Sequence, residues 1–148
     1  MNPDQARELF SAARVARVAT ADPDGVPHVV PLVFAVDVRT DGTTVYSAVD
    51  AKPKRTPALR RLANVRANPR VALLADHYDD TAWEALWWVR ADGVGRVLAP
   101  DDPWARRGVG LLVAKYPQYR AAAPEGPVLA VDVARWTGWA AWRPAGGG

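Results

Sequence analysis

Apolar and polar residues alternate along several short stretches of the chain, which predicts a protein built mainly of β-strands. Turn-forming sequences, such as those at residues 22–25 and 40–43, separate these stretches. Short strands joined by hairpin-sized links favour an antiparallel barrel with helices packed on it. The predicted strands number six or seven and cover residues 14–21, 26–38, 44–49, 71–76, 86–98, 127–133 and 135–143.

Four places depart from plain alternation. Pro27 and Pro31 interrupt the second strand and place it at a sheet edge or a bulge, because proline cannot donate to a ladder. The step Asp92-Gly93 predicts a bulge in the long fifth strand. Tryptophans recur every three residues near the end, so we expect a turn or bulge at Thr137-Gly138. The polar loop at residues 77–85 contains Trp83, which we expect to be buried.

Helical spacing and capping residues predict three helices. The first follows Asn2 as N-cap, and the third follows Asp102 and ends near Tyr116. The second begins after Thr56, with Pro57 at its first position, and ends at residues 68–69, where asparagine precedes proline. We expect the third helix to lie against the barrel, because its two glycines would weaken it alone.

The second helix is strongly basic. Lys52, Lys54 and Arg55 precede it, and Arg60 and Arg61 lie in its first half, off the apolar stripe. Free N–H groups and nearby cations at a helix N-terminus suit a phosphate group. The charge pattern alone leaves two interpretations open, an anion clamp and a solvated basic helix.

Composition limits the class of protein. The 148 residues suit one domain, 1–148, and the absence of cysteine excludes disulfides, thiolate metal sites and a cysteine nucleophile. Two histidines are too few for a histidine-rich metal site, and we predict no bound metal. Neither a signal region nor a transmembrane run is recognisable, so we expect a cytoplasmic protein without a membrane partner.

The net charge of +3 and the seven tryptophans bear on ligands. Modest basicity suits phosphates, acidic metabolites or nucleic acid. A binder of single-stranded nucleic acid would interleave aromatic and basic residues. Here the aromatic residues cluster away from the basic helix, so we expect no nucleic-acid partner. No nucleophile motif or paired carboxylates support hydrolysis, which is consistent with a protein whose cofactor carries the chemistry.

The order of four segments resembles a known family. RVATADPDGVPHVVPLVF, TVYSAVD, RRLANVRANPRVALLAD and LWWVRADGVGRVL follow one another as in the pyridoxamine 5′-phosphate oxidase-like split β-barrel proteins. The chain looks most like the subgroup that uses the deazaflavin F420. The resemblance implies an antiparallel Greek-key split barrel. It also implies a homodimer with the cofactor between subunits, and F420H2-dependent hydride transfer to a small conjugated organic substrate.

The resemblance also suggests which residues bind the cofactor. Its phosphate would lie on Arg60 and Arg61, with Lys52, Lys54 and Arg55 as further cations that suit an oligoglutamate tail. Its ring would lie against the second and third strands. A site residue would also stand at the position where FMN-using relatives often carry glutamine. The ring-contacting and aromatic candidates are Pro31, Leu32, Val33, Ser47, Ala48 and Trp88.

Several alternatives stay open. An FMN-dependent oxidoreductase is one, although an indole at position 88 cannot replace the amide of glutamine. A non-enzymatic carrier of F420, flavin or haem is another. His28, His77 and Tyr78 are possible proton donors, but the sequence names no partner for them and no catalytic residue is assigned.

Overall fold

A computed structural model describes residues 1–49 and 57–142, with side chains from residue 60 onward in the second part. Four α-helices and seven strands make up these residues. The helices are α1 (Pro3–Ala12), α2 (Pro57–Ala67), α3 (Pro103–Lys115) and α4 (Pro117–Ala121). The strands are β1 (Ala16–Ala21), β2 (Pro27–Leu32), β3 (Ala35–Arg39), β4 (Gly42–Ala48), β5 (Arg70–His77), β6 (Trp87–Leu98) and β7 (Val128–Ala140). The mainly β fold is confirmed.

The helices start where the sequence predicts. Asn2 accepts a hydrogen bond from Gln5 N, and the Gln5 side chain accepts one from Asn2 N, which forms a capping box for α1. Asp102 caps α3 by accepting from Trp104 N at 2.8 Å. Helix α2 begins at Pro57 and ends before Asn68-Pro69. The predicted cap Thr56 lies outside the described residues.

All seven strands form one antiparallel sheet in the order β2-β1-β5-β6-β7-β4-β3. The outermost strands, β2 and β3, are consecutive in the chain and are separated only by Val33 and Phe34. Three Cα–Cα steps span about 11 Å at most. The two edges of the sheet must therefore approach each other there. The sheet curls into a barrel that is open along this line, hereafter the seam, defined by residues 31–35 and 46–48.

The seam corrects the prediction of one strand over residues 26–38. The chain instead leaves β2 after Leu32 and enters β3 at Ala35. The apolar pattern continues through the break, so no local signal marks it. The edge position predicted from the prolines is confirmed, because β2 pairs only with β1, where Pro31 lies opposite Arg17.

The long strands β6 and β7 also differ in part from the prediction. The register shift at Asp92/Gly93 is confirmed. The turn or bulge expected at Thr137-Gly138 is wrong, because β7 is one strand. Its extra residue is Ala134, between Val133 opposite Gly93 and Arg135 opposite Asp92. This bulge changes which residues of β7 face the core. Trp136 and Trp139, three residues apart beyond the bulge, lie on opposite faces of the strand, since Trp136 packs against the core and Trp139 is 49% exposed.

Two further expectations are corrected. Trp83 is 65% exposed, in a short 3-10 turn of the loop between β5 and β6. The segment after α3, predicted as a loop, contains α4. The expected support of α3 by the barrel is confirmed, since Gly108 packs directly on the ring of Tyr46 and leaves no space for a Cβ atom.

Helix α3 is also held to the barrel by charge. Asp37 on β3 is 4% exposed and accepts hydrogen bonds from Arg107 at 2.7 and 3.0 Å and from Arg39 at 3.0 Å. Arg39 also donates to Thr44 Oγ1, which donates to Asp132 on β7. The hydrogen bonds from Arg107 chiefly lower the pKa of Asp37, with a smaller contribution from Arg39. The carboxylate therefore joins α3 to β3, and Arg39 extends the network to Thr44 on β4.

Candidate functional site

The seam brings together several residues predicted to contact a cofactor ring. Ser47 Oγ on β4 donates to Val33 O at 2.8 Å, which ties β4 to the segment between the edge strands. Ladder pairing of β3 with β4 ends at Ala35 and Tyr46. Ser47 and Ala48 therefore pair with β7 on one side and meet the seam on the other. Leu32 is buried beside them, and Pro31 is exposed on β2.

Tyr116, at the end of α3, fixes the backbone at the seam. Its Oη accepts from Phe34 N at 3.2 Å and lies 3.0 Å from both Phe34 O and Arg14 O, the two acceptors for its single proton. Burial raises the pKa of Tyr116. The neutral phenol is thus the form present at physiological pH, and it can serve both as donor and as acceptor.

Lys115 holds the same junction from the opposite side. Its Nζ donates to Ser11 O at 3.1 Å and Ala13 O at 2.8 Å, and it lies 3.8 Å from the centroid of the Phe34 ring. Burial, with a smaller contribution from the charge of Arg14, lowers the pKa of Lys115 to about 8. The end of α1, the seam and the end of α3 are therefore fixed relative to one another.

Arg61, on α2, has an unusual environment for a cation. It is partly buried on α2, and its Nε atom is buried without a hydrogen-bond partner among the described residues. Burial lowers the pKa of its guanidinium, and among the described residues Tyr119 on α4 contributes a smaller, opposite effect. Tyr119 packs against the part of the core that contains Ala48 and that Val33 also contacts. An anionic group is the partner that such a desolvated guanidinium lacks.

The other predicted cations do not join Arg61 in the described part of the chain. Arg60 is exposed and lines a different cleft, because neighbouring residues of a helix point about 100° apart. Lys52, Lys54 and Arg55 lie outside the described residues. The two predicted phosphate ligands of α2 therefore lie in different surroundings: Arg60 lines an open cleft, and Arg61 is partly buried.

Trp88 does not lie on the strands that border the seam. Ala48 is opposite Val128 at the start of β7, whereas Trp88, on β6, is opposite Trp139, eleven residues further along β7. Trp88 and Trp139 instead form a cross-strand pair, and Trp139 is 49% exposed.

The outward face of the β1-β5-β6-β7 part of the sheet carries a cavity with a volume of about 610 Å³. Small side chains such as Ala19, Ala72 and Ala134 form its floor. Val94 at its edge is 48% exposed, and Leu74 on the same strand face as Ala72 is 39% exposed. This cavity was not predicted. The sequence pattern placed Ala134, which helps form it, in a link between two separate strands and not in a bulge of one strand.

Sequence reasoning also missed Tyr116 and Tyr119. Their only signal was their position: both follow α3 on either side of Pro117, so they project from a helix end towards the seam.

His77 is exposed at the end of β5, and Tyr78 is exposed just beyond it. Within residues 1–49 and 57–142, no group of three or more His, Asp or Glu side chains forms a potential metal site. In the same residues, no helix has the length and apolar character needed to cross a bilayer.

Solved structures with similar folds agree with this architecture. A conserved hypothetical protein from Mycobacterium tuberculosis is 21% identical, with a TM-score of 0.69 over 95% of this chain and 86% of the other. A FAD-binding protein from Mesorhizobium loti is 21% identical, with a TM-score of 0.68 over 93% and 94%. HutZ, the heme storage protein from Vibrio cholerae, is 16% identical, with a TM-score of 0.64 over 95% of both chains.

These identities show a shared fold. No curated protein sequence matches the chain. A family model described as pyridoxamine 5′-phosphate oxidase matches residues 3–140, which covers nearly the whole sequence and every described strand. The chain therefore belongs to the pyridoxamine 5′-phosphate oxidase family.

Proposed function

We propose that the protein is an F420H2-dependent oxidoreductase that reduces a small conjugated organic substrate, with its cofactor bound at the seam. The observation that carries the proposal is the partly buried guanidinium of Arg61, whose Nε lacks a partner in the described chain. A cation in this state costs free energy in the empty protein and regains it when an anion binds. A cofactor phosphate supplies that anion.

The seam offers a wall for the cofactor ring. Backbone and side-chain atoms of Leu32, Val33, Ser47 and Ala48 would contact it, with Pro31 at its edge. The hydrogen bond from Ser47 Oγ to Val33 O and the bonds of Tyr116 to Phe34 hold this wall rigid before the cofactor arrives. A pre-organised wall lowers the entropic cost of binding.

The cofactor tail would extend towards Lys52, Lys54 and Arg55. F420 carries a phosphodiester and an oligoglutamate tail, so it presents more negative charge to this segment than FMN does. Arg60 would lie at the margin of this charge, on the neighbouring side of α2. The cationic segment therefore favours F420 by electrostatic attraction.

A second copy of the chain would complete the site. Trp88 lies on β6, outside the strands that border the seam of its own chain. In a homodimer, Trp88 of one subunit could contribute to the groove at the seam of the other. The exposed apolar residues Leu74, Val94 and Trp139 on the outward sheet face are the residue types that homodimer interfaces bury.

Bound F420H2 would supply the hydride for the reaction, and the protein would supply orientation and exclusion of water. Val33 and Ser47 would fix the ring plane, and Arg61 would fix the phosphate end. Tyr78 and His77 are exposed and remain possible proton donors, with no partner that favours either.

Two other cofactor roles have specific support. A structural neighbour described as FAD-binding favours an FMN-dependent oxidoreductase as the second candidate. A neighbour described as a heme storage protein favours a non-enzymatic carrier of F420, flavin or haem as the third. All three roles use the seam, so they differ in ligand and turnover and not in architecture.

Turnover separates the enzyme from the carrier. The purified protein is mixed with F420H2 and a panel of conjugated acceptors, such as quinones and enones, and reoxidation is followed by the absorbance of the deazaflavin. We expect protein-dependent oxidation with at least one acceptor, and its loss in Arg61→Met. Tight F420 binding without turnover on any acceptor would favour the carrier, and turnover with reduced FMN alone would favour the flavin enzyme.

A further inference from the structure

A second cleft, separate from the seam, lies between the turn that joins β1 to β2 and the outer side of α2. Its volume is about 330 Å³, the size of the smallest ligand pockets. No residue of the proposed cofactor wall takes part in it. Its lining combines two charges, an imidazole, an amide and small apolar groups: Asp22, Val26, Pro27, His28, Arg60, Ala63 and Asn64.

Opposite charges face this cleft without pairing. Arg60 and Asp22 both line it, yet neither takes part in an ion pair within the described chain. Elsewhere on the barrel, arginines that neighbour a carboxylate do pair with it, as in Arg96–Asp132 at 2.9 Å and Arg90–Asp92 at 3.0 Å. Two unpaired opposite charges across a small cleft leave space for a ligand that contacts both.

The carboxylate of Asp22 is held in place by the turn. One of its oxygens, Oδ1, accepts from Asp24 N and from Val26 N, each at 2.9 Å. These bonds fix the carboxylate and leave its other oxygen as an acceptor. The charge is therefore pre-oriented for a ligand donor such as an ammonium group.

The floor and wall of the cleft are equally fixed. Asn64 is 5% exposed, and its Nδ2 donates to Thr20 Oγ1 at 3.0 Å, which anchors the amide. His28 also lines the cleft, and its Nδ1 is buried without a hydrogen-bond partner among the described residues. The cleft thus offers one cation, one anion and neutral polar groups between them.

We infer that this cleft binds a small zwitterion of the amino-acid class. The ligand carboxylate pairs with Arg60, its ammonium group pairs with Asp22, and its short side chain lies against Val26 and Ala63. A simple anion would leave Asp22 unpaired and near a like charge, and a simple cation would meet Arg60 in the same way. This inference does not depend on the cofactor proposed for the seam.

The test compares a whole zwitterion with its two halves. Isothermal titration of the wild-type protein uses L-alanine, acetate and methylammonium as separate probes. We expect L-alanine to bind at least about tenfold more tightly than either half, because each charged pair contributes on the order of a factor of ten. Acetate that binds as tightly as L-alanine would overturn the inference, as would no measurable binding of L-alanine.

Three variants assign the binding to this cleft. Arg60→Gln removes the cation, and Asp22→Asn removes the anion while keeping an oxygen for the turn. Each should weaken L-alanine binding by about tenfold or more. Asp22→Asn should leave acetate binding unchanged or stronger, because it removes a negative charge that repels the acetate anion. Ala63→Phe fills the cleft without changing any charge and should abolish binding.

Arg66→Gln is the matched control, because Arg66 is exposed on the same helix but does not line the cleft. It should bind L-alanine like the wild type. Thermal melting of each variant verifies folding, and Ala63→Phe tests the cleft independently of the charged variants. L-alanine affinity that is unchanged in both Arg60→Gln and Ala63→Phe would contradict the inference.

Discussion

Replacing Arg61 by methionine should weaken cofactor binding and stabilise the empty protein at the same time. Methionine keeps the unbranched stem of arginine and removes the charge. In the folded chain the Arg61 guanidinium is partly buried, its Nε has no partner among the described residues, and burial lowers its pKa. A solvated surface arginine would show neither effect on replacement.

The two magnitudes follow from the two states of the site. A charge-assisted hydrogen bond to phosphate contributes roughly 1.5–3 kcal/mol, so its loss should raise the Kd for F420 by about tenfold to a hundredfold. An unpaired charge that is fully buried destabilises the folded state by several kcal/mol. Arg61 is only partly buried, so water screens its charge and the penalty is smaller. We therefore expect a gain of about 1 kcal/mol in the empty protein, or about 2–4 °C in Tm.

The assay measures both quantities on one pair of variants. F420 affinity comes from ligand fluorescence, and Tm comes from calorimetry without ligand. Arg66→Met is the control, because Arg66 is an exposed arginine of the same helix. It should change neither quantity by more than the experimental error. A lower Tm with unchanged F420 affinity in Arg61→Met would refute the reasoning and give Arg61 a purely structural role.

Three further predictions concern stability, assembly and the cofactor tail. Asp37→Asn should lower the free energy of unfolding by about 2 kcal/mol near neutral pH, because a carboxylate with charged donors is lost. The pKa of Asp37 is lowered from 3.8, so its stabilisation is present above that pH and is lost as pH falls below it. Urea unfolding should therefore show a shallower acid decline for the variant, and an equally steep decline would contradict this. Sedimentation should show a dimer at micromolar concentration that Val94→Asp dissociates, and a stable wild-type monomer would exclude a two-subunit site. F420 with longer oligoglutamate tails should bind more tightly at low salt, with the advantage decreasing as salt screens Lys52, Lys54 and Arg55; equal affinity for all tail lengths would remove their assigned role.

Local signals predicted the elements well. The capping residues Asn2 and Asp102 and the break at Asn68-Pro69 act through bonds and dihedrals within a few residues, so the sequence alone placed α1, α2 and α3, although not α4. Alternation located the strand regions, although it merged β2 with β3 and divided β7 in two. The shift at Asp92/Gly93 was also found, because glycine within a strand is itself a local signal.

Long-range contacts were out of reach of the same reasoning. The break between β2 and β3 lies in a continuous apolar run and is fixed by Tyr116, whose hydroxyl contacts Phe34 from 82 residues away. The bulge at Ala134 is set by pairing with β6, not by its own sequence. Trp83 looked like a core residue by type, and only the position of its loop shows that it is exposed.

The candidate site was predicted in parts. The ring-contacting residues Val33 and Ser47 do lie together at the seam. Whether they contact a cofactor stays a prediction, as do the roles of Arg60 and Arg61. Adjacency in sequence suggested that these two arginines act as a pair, but helix geometry directs them to different surroundings. A contribution of Trp88 from one subunit to the seam of another also stays a prediction.

The most direct test of a deazaflavin site at the seam is an equilibrium titration of the wild-type protein with F420 and with FMN, under the same salt conditions and followed by ligand fluorescence. We predict saturable binding of F420 with a Kd at least about tenfold lower than that of FMN, since F420 adds charged groups that the cationic segment can pair. Tighter binding of FMN would contradict the assigned cofactor, and binding of neither ligand would contradict the site.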